Sequence, residues 1–137
     1  EVLACRWAGA AFQRIPMDDL AEILEGLEDA ESALEIQRRL TLVHDFFFTI
    51  FQASRKEHLL RLVSNLWDLS HQYRRLFSAI PDIVPHRLEY YRELYAACEA
   101  QDSEALIKSL RSLYAFVREV LMPRLEADLR QQGGYSQ

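Results

Sequence analysis

The sequence predicts an all-α protein, an antiparallel bundle of six or seven helices. Three observations carry that expectation. Apolar residues recur at three- and four-residue spacing along almost the whole chain, and nowhere do they alternate as strand residues would. Gly 4 and Pro 4 in 137 residues are too few for the frequent turns of a sandwich or barrel. The chain is 50% hydrophobic and 27% charged, which suits one packed core and excludes a disordered chain.

The elements follow in order. Leu3, Trp7, Ala10 and Ala11 begin a first helix that stops near Ile15-Pro16. Pro16 suits the start of a second helix, whose first turn holds Asp18 and Asp19 against the positive helix end. Leu20, Ile23, Leu24 and Leu27 give it one apolar face, and Gly26 with the acidic run to Glu31 weakens it. Ser32 can cap a third, long helix, about Ala33 to Ala53. Leu40, Val43, Phe47, Ile50 and Ser54 form its stripe, and Phe46, Phe48 and Phe51 on the flanks predict a surrounded helix. A fourth helix runs from Glu57, with Leu59, Leu62, Leu66, Leu69, Tyr73 and Leu76 on one stripe. Pro81-Asp82-Ile83-Val84-Pro85 is the clearest loop. A fifth helix carries Leu88, Tyr91, Leu94, Tyr95 and Cys98 inward, and Asp102-Ser103-Glu104 caps a sixth. That helix carries Leu106, Leu110, Leu113, Val117, Val120 and Leu121, and Pro123 kinks or ends it. Residues 1–132 form the domain and 133–137 a frayed tail.

Charge and motifs exclude more than they assign. A net charge of −5 opposes phosphate binding, so the chain alone is a poor nucleic-acid binder. No segment is long and apolar enough for a membrane span. Cys5 and Cys98 give no disulfide framework and no CxxC, which fits a reducing cytoplasm. There is no phosphate loop, GxSxG or HExxH, so the chain does not read as an enzyme. No His has a second His one turn away; Asp68/His71 and His86/Glu89 read as surface ion pairs, and His44 and Asp45 point about 100° apart. Arg38-Arg39 and Arg55-Lys56 read as solvated faces. Arg74, seven residues after Trp67 and three before Phe77, belongs at the edge of an aromatic surface, where it could hold an anion. The aromatics are many for so small a bundle. Most are core, and Tyr91 and Tyr95, one turn apart, read as core, interface or cavity residues.

Val43 to Leu60, VHDFFFTIFQASRKEHLL, resembles a segment of the FCD domain, the effector-binding domain of FadR-type GntR transcription regulators. Phe46, Ile50, Ala53, Ser54 and Leu59 fall on or near its D-x-x-F-H-x-x-[LI]-x-x-A-S-x-N-x-x-L pattern, while Lys56 to His58 match its Asn-Pro poorly. Tyr90-Tyr91-Arg92-Glu93-Leu94, then Cys98, Ala100 and Asp102, resemble a second segment, and Glu1 to Leu27 the start of the domain. Most such domains hold a divalent metal through one Asp and three His. The matching positions here are Val43, Phe47, Tyr91 and Leu113, so the resemblance implies neither metal nor other cofactor.

The substitutions resemble the fatty-acid branch, which implies a small, largely apolar effector, a fatty acid or acyl-CoA. The effector residues so implied are Val43, Phe47, Trp67, Arg74, Tyr91, Tyr95 and Leu113. The part of the effector that reaches Val43, Phe47 and Leu113 is expected to be apolar, with any acid at the mouth beside Arg74 or Arg75. The resemblance also implies a homodimer that touches DNA only through a winged helix-turn-helix preceding Glu1, expected to be absent from this chain. The rival reading is a protein-interaction module without a ligand; an enzyme is the remote third.

Overall fold

The structure is a computed structural model that describes residues 2–9, 11–80 and 83–134. Those residues form seven helices and no strand: α1 (Val2–Gly9), α2 (Met17–Ser32), α3 (Ile36–Phe51), α4 (Glu57–Leu69), α5 (His71–Ser78), α6 (Val84–Glu99) and α7 (Ser103–Gly134). One-turn 3-10 helices at Phe12–Arg14 and Gln52–Ser54 follow α1 and α3.

The core gathers around α3. Its buried residues, Arg39, Leu40, Val43, Phe46, Phe47, Ile50 and Phe51, repeat at helical spacing and make one wide face. α2 lies against α3 and α6, α6 against α7, and α1 bridges α3 and α7. α3 is not surrounded, however, since Gln37, Arg38, Thr41 and Asp45 remain exposed. Gly9 lets α1 approach α7: a Cβ there would stand 2.9 Å from the Ser103 Cβ.

Several boundaries differ from the sequence reading. α1 ends at Gly9, and the chain reaches Pro16 through the first 3-10 turn. Ser32 caps nothing; it closes α2, its Oγ donating to the Glu28 carbonyl (2.9 Å). The chain reverses at Leu34 and Gln101, both left-handed (φ 57° and 54°), a conformation glycine usually supplies. The Glu35 N–H donates to the Ala30 carbonyl and the Asp102 N–H to the Ala97 carbonyl (3.0 Å each), closing both helix ends. Asp102 does cap α7, its carboxylate accepting from the Ala105 N–H (3.1 Å). Of the Pro81–Pro85 loop, Pro81 and Asp82 lie outside the described residues, and Val84 and Pro85 already open α6.

The fourth helix is two. Ser70 interrupts the run, its Oγ donating to the Leu66 carbonyl (2.8 Å), and α5 starts anew at His71. The apolar stripe of this segment is largely outward: Leu62, Leu66, Leu69 and Tyr73 are exposed, whereas Val63 and Trp67 are buried. Pro123 does not end α7, which continues through Gly134. Pro123 and Glu119, whose carbonyl it cannot serve, are both exposed, so water can satisfy that carbonyl. Gly133 and Gly134 stand in the last turn; residues 135–137 lie outside the described residues.

Candidate functional site

A cavity of about 210 Å3 opens between α3, α4, α5, α6 and α7. α3 contributes Arg39, Val43 and Phe47; α4 and the break after it contribute Trp67 and Ser70. Tyr73, Arg74 and Phe77 come from α5, Tyr91 from α6, and Leu113, Tyr114, Val117 and Leu121 from α7. Six of the thirteen wall residues are aromatic. The Phe47 ring stands 5.7 Å from Trp67 and 6.2 Å from Tyr91, centroid to centroid.

Six of the seven residues chosen from the sequence line this cavity: Val43, Phe47, Trp67, Arg74, Tyr91 and Leu113. Tyr95 does not. It lies one turn beyond Tyr91, half-buried beside Asp18 and Glu99, and burial followed by those carboxylates raises its pKa. Arg74 sits at the rim. Its guanidinium lies 4.0 Å over the Trp67 ring and donates to the Ser70 Oγ (2.6 Å) and the Trp67 carbonyl. Arg75 is exposed and lines no part of the cavity.

The largest correction is Arg39. Read as part of a solvated pair, it is 3% exposed, while its neighbour Arg38 faces water and pairs with Glu35 (3.2 Å). Arg39 donates to the Tyr91 hydroxyl (2.7 Å) and to the Ser78 Oγ, and its Nε faces a Glu31 carboxylate oxygen. Glu31 is buried too and accepts from Arg87 Nε (3.1 Å) and Nη2 (2.8 Å). Arg87 Nη1 donates to the carbonyls of Phe77 and Ile80 (2.8 Å each). The network thus ties α2, α3, α5 and α6 beside the cavity. The Arg87 pKa is lowered, first by burial and then by the like charge of Arg39. A signal existed in the sequence, since Arg39 stands four and eight residues before Val43 and Phe47 on one helix face. Tyr114 was also missed, and its buried hydroxyl has no hydrogen-bond partner among the described residues.

The polar pairs expected on the surface behave differently. His44 Nδ1 meets Asp45 Oδ1 at 3.3 Å, although the two residues are adjacent on the helix. No ion pair joins Asp68 to His71 or Glu89 to His86 among the described residues; His86 packs on Phe116 instead (5.7 Å).

A family model described as the FCD domain matches residues 1–116. The chain belongs to the FCD domain family. As an FCD domain it is a regulatory, effector-binding type of domain, as its resemblance implied. It is similar to the solved structure of E. coli McbR/YncC, with a TM-score of 0.76 and 22% identity over 93% of this chain. At that identity the likeness shows the fold alone. The chain spans 59% of the length of that protein. No curated protein matches the chain. No helix among the described residues is long and apolar enough to cross a membrane.

The metal implied by most of the family does not fit this FCD domain. The positions that the resemblance matches to its ligands, Val43, Phe47, Tyr91 and Leu113, all line one cavity, beside Arg39. Two aliphatic chains, a phenyl and a phenol offer no hard-cation ligand set, and a guanidinium repels a cation. No three His, Cys, Asp or Glu side chains gather as ligands among the described residues.

Burial also fixes an alkaline limit. Burial pushes the Cys98 thiol from 9.0 up to about 12, and raises the Tyr91 phenol against the opposing pull of Arg39. Both acids hold their protons more tightly folded than unfolded. Their contribution is complete below the unfolded pKa values and is lost as pH rises through the folded ones. Chemical denaturation should therefore show stability falling from near pH 9 toward pH 12, with a shallower fall in Cys98→Val. An equally steep fall in that variant would remove Cys98 as a cause.

Proposed function

We propose that this chain is the ligand-sensing domain of a transcription regulator, and that its effector occupies the cavity on α3 to α7. The reading is carried by one observation. Val43, Phe47, Tyr91 and Leu113, which the resemblance matches to the family's metal ligands, converge on one cavity, and no metal ligand set gathers there among the described residues, so it is free to take an organic molecule. At about 210 Å3 it is somewhat larger than an apolar cavity of about 150 Å3 that takes benzene. A substituted ring or a short acyl chain fits that volume; a long-chain acyl-CoA needs the helices to part. Ligand binding biases the arrangement of α5 and α6 through Arg39, Ser78 and Tyr91. That bias shifts the population of a DNA-binding partner domain.

Native mass spectrometry and thermal shift against organic and fatty acids test the reading. A compact acid should raise the melting temperature of the natural chain and not that of Leu113→Trp, whose added ring fills the cavity. No bound molecule and no shift with any acid would overturn the proposal in favour of a ligand-free interaction module.

The domain pairs with a second copy through α4. Leu62, Leu66 and Leu69 follow one another at i, i+4 and i+7 and are 56%, 55% and 79% exposed, an apolar stripe suited to a facing helix. Sedimentation should give a dimer, and Leu66→Glu with Leu69→Glu a folded monomer. A monomeric natural chain, or an unchanged dimer in the double variant, would exclude this face.

A further inference from the structure

We infer that the cavity binds a small aromatic carboxylate, its acid group seated on Arg39 and its ring between Phe47, Trp67 and Phe77; this rests on the cavity being the effector site.

Charge carries the inference first. The buried network holds two guanidiniums, Arg39 and Arg87, against one carboxylate, Glu31. The wall of the cavity adds Arg74 and contains no Asp or Glu. A buried site with one positive charge in excess favours an anion, because a buried cation without a counter-charge is costly. The acid group of the ligand supplies the missing fourth charge.

Donor accounting gives the same answer. A guanidinium has five N–H donors. Glu31, Ser78 and Tyr91 each take one from Arg39, which leaves two without a partner among the described residues. A carboxylate can accept both. Arg39 is 3% exposed, so water screens this charge little.

Shape and the second polar group decide the rest of the ligand. The volume of about 210 Å3 admits one substituted ring, and the walls offer aromatic edges and faces to it. Tyr114, whose buried hydroxyl has no hydrogen-bond partner among the described residues, lines the same cavity from α7, whereas Arg39 comes from α3. A ring bearing a hydroxyl in addition to its acid would satisfy it.

Calorimetry on the full chain tests this with benzoate, 4-hydroxybenzoate, the neutral benzamide and hexanoate. Benzoate should bind at least about tenfold more tightly than benzamide, the scale of a charged hydrogen bond. 4-Hydroxybenzoate should bind more tightly still, and Tyr114→Phe should remove that advantage. Arg39→Met should lose benzoate by at least about tenfold while keeping its helix content. Should that variant fail to fold, the comparison of benzoate with benzamide on the natural chain decides the matter alone. Equal binding of the two would overturn the anion site. Binding of hexanoate but of neither benzoate would overturn the aromatic class and leave the sensing role intact. Binding of none of the four overturns the inference; a thermal shift with some other acid would then preserve the sensing role, and its absence would remove both.

Discussion

Glu31→Gln should lower the free energy of unfolding by about 3–5 kcal/mol, the cost of removing one partner from a buried ion pair. The variant keeps the size of the side chain but removes the one negative charge that faces both Arg39 and Arg87. Two guanidiniums then stay buried with no counter-ion. Marginal domains have only about 5–15 kcal/mol in total, so the loss is a large part of the whole. Arg39→Met should cost clearly less, because Glu31 remains bound to Arg87 and the network becomes a neutral pair. Urea denaturation of the three chains measures the order. A Glu31→Gln loss below about 1 kcal/mol, the range of exposed pairs, would mean that the network is open to water.

Phe46→Ala should cost about 3–5 kcal/mol, the range for deleting a buried ring. Phe46 is fully buried and stands edge-on to Phe47 (5.6 Å) and at 64° to Tyr91 (5.7 Å). Those rings sit on two different helices, so collapse into the gap is limited. Both line the cavity proposed for the effector, and the variant should therefore also loosen ligand binding while retaining helical circular dichroism. Leu66→Ala, on the exposed face of α4, provides the contrast: its change should stay within about 0.5 kcal/mol in the monomer. A Phe46→Ala loss of that same small size would show that the core around α3 repacks freely.

Much of the cavity was legible because helical spacing and family pattern speak for the same residues. Val43 and Phe47 lie one turn apart on α3, and Tyr91 and Leu113 fall on the inward stripes of α6 and α7. Tyr95 shows the limit of that reasoning. One turn beyond Tyr91 it shares the helix face yet meets α2 instead of the cavity, because the site spans less than the length of the helix. The break at Ser70 left no trace of Gly or Pro, since a serine hydroxyl bonded to the preceding turn does the same work. The left-handed ends at Leu34 and Gln101 lack the glycine that normally marks them.

Residue types and their spacing were enough for the all-α class, most of the helices and the FCD relationship. Each of these is a local property, set by residue type and by spacing within one helix. Tertiary structure alone decided which charges are inside. Arg39 read as part of a solvated pair and Glu31 as the end of an acidic run, and only the meeting of α2, α3 and α6 removes both, with Arg87, from water together. A charged residue is exposed by default because burying it alone is costly, and it becomes a core residue only when partners far along the chain offset that cost. The same meeting turned an apolar pocket into one with a positive wall.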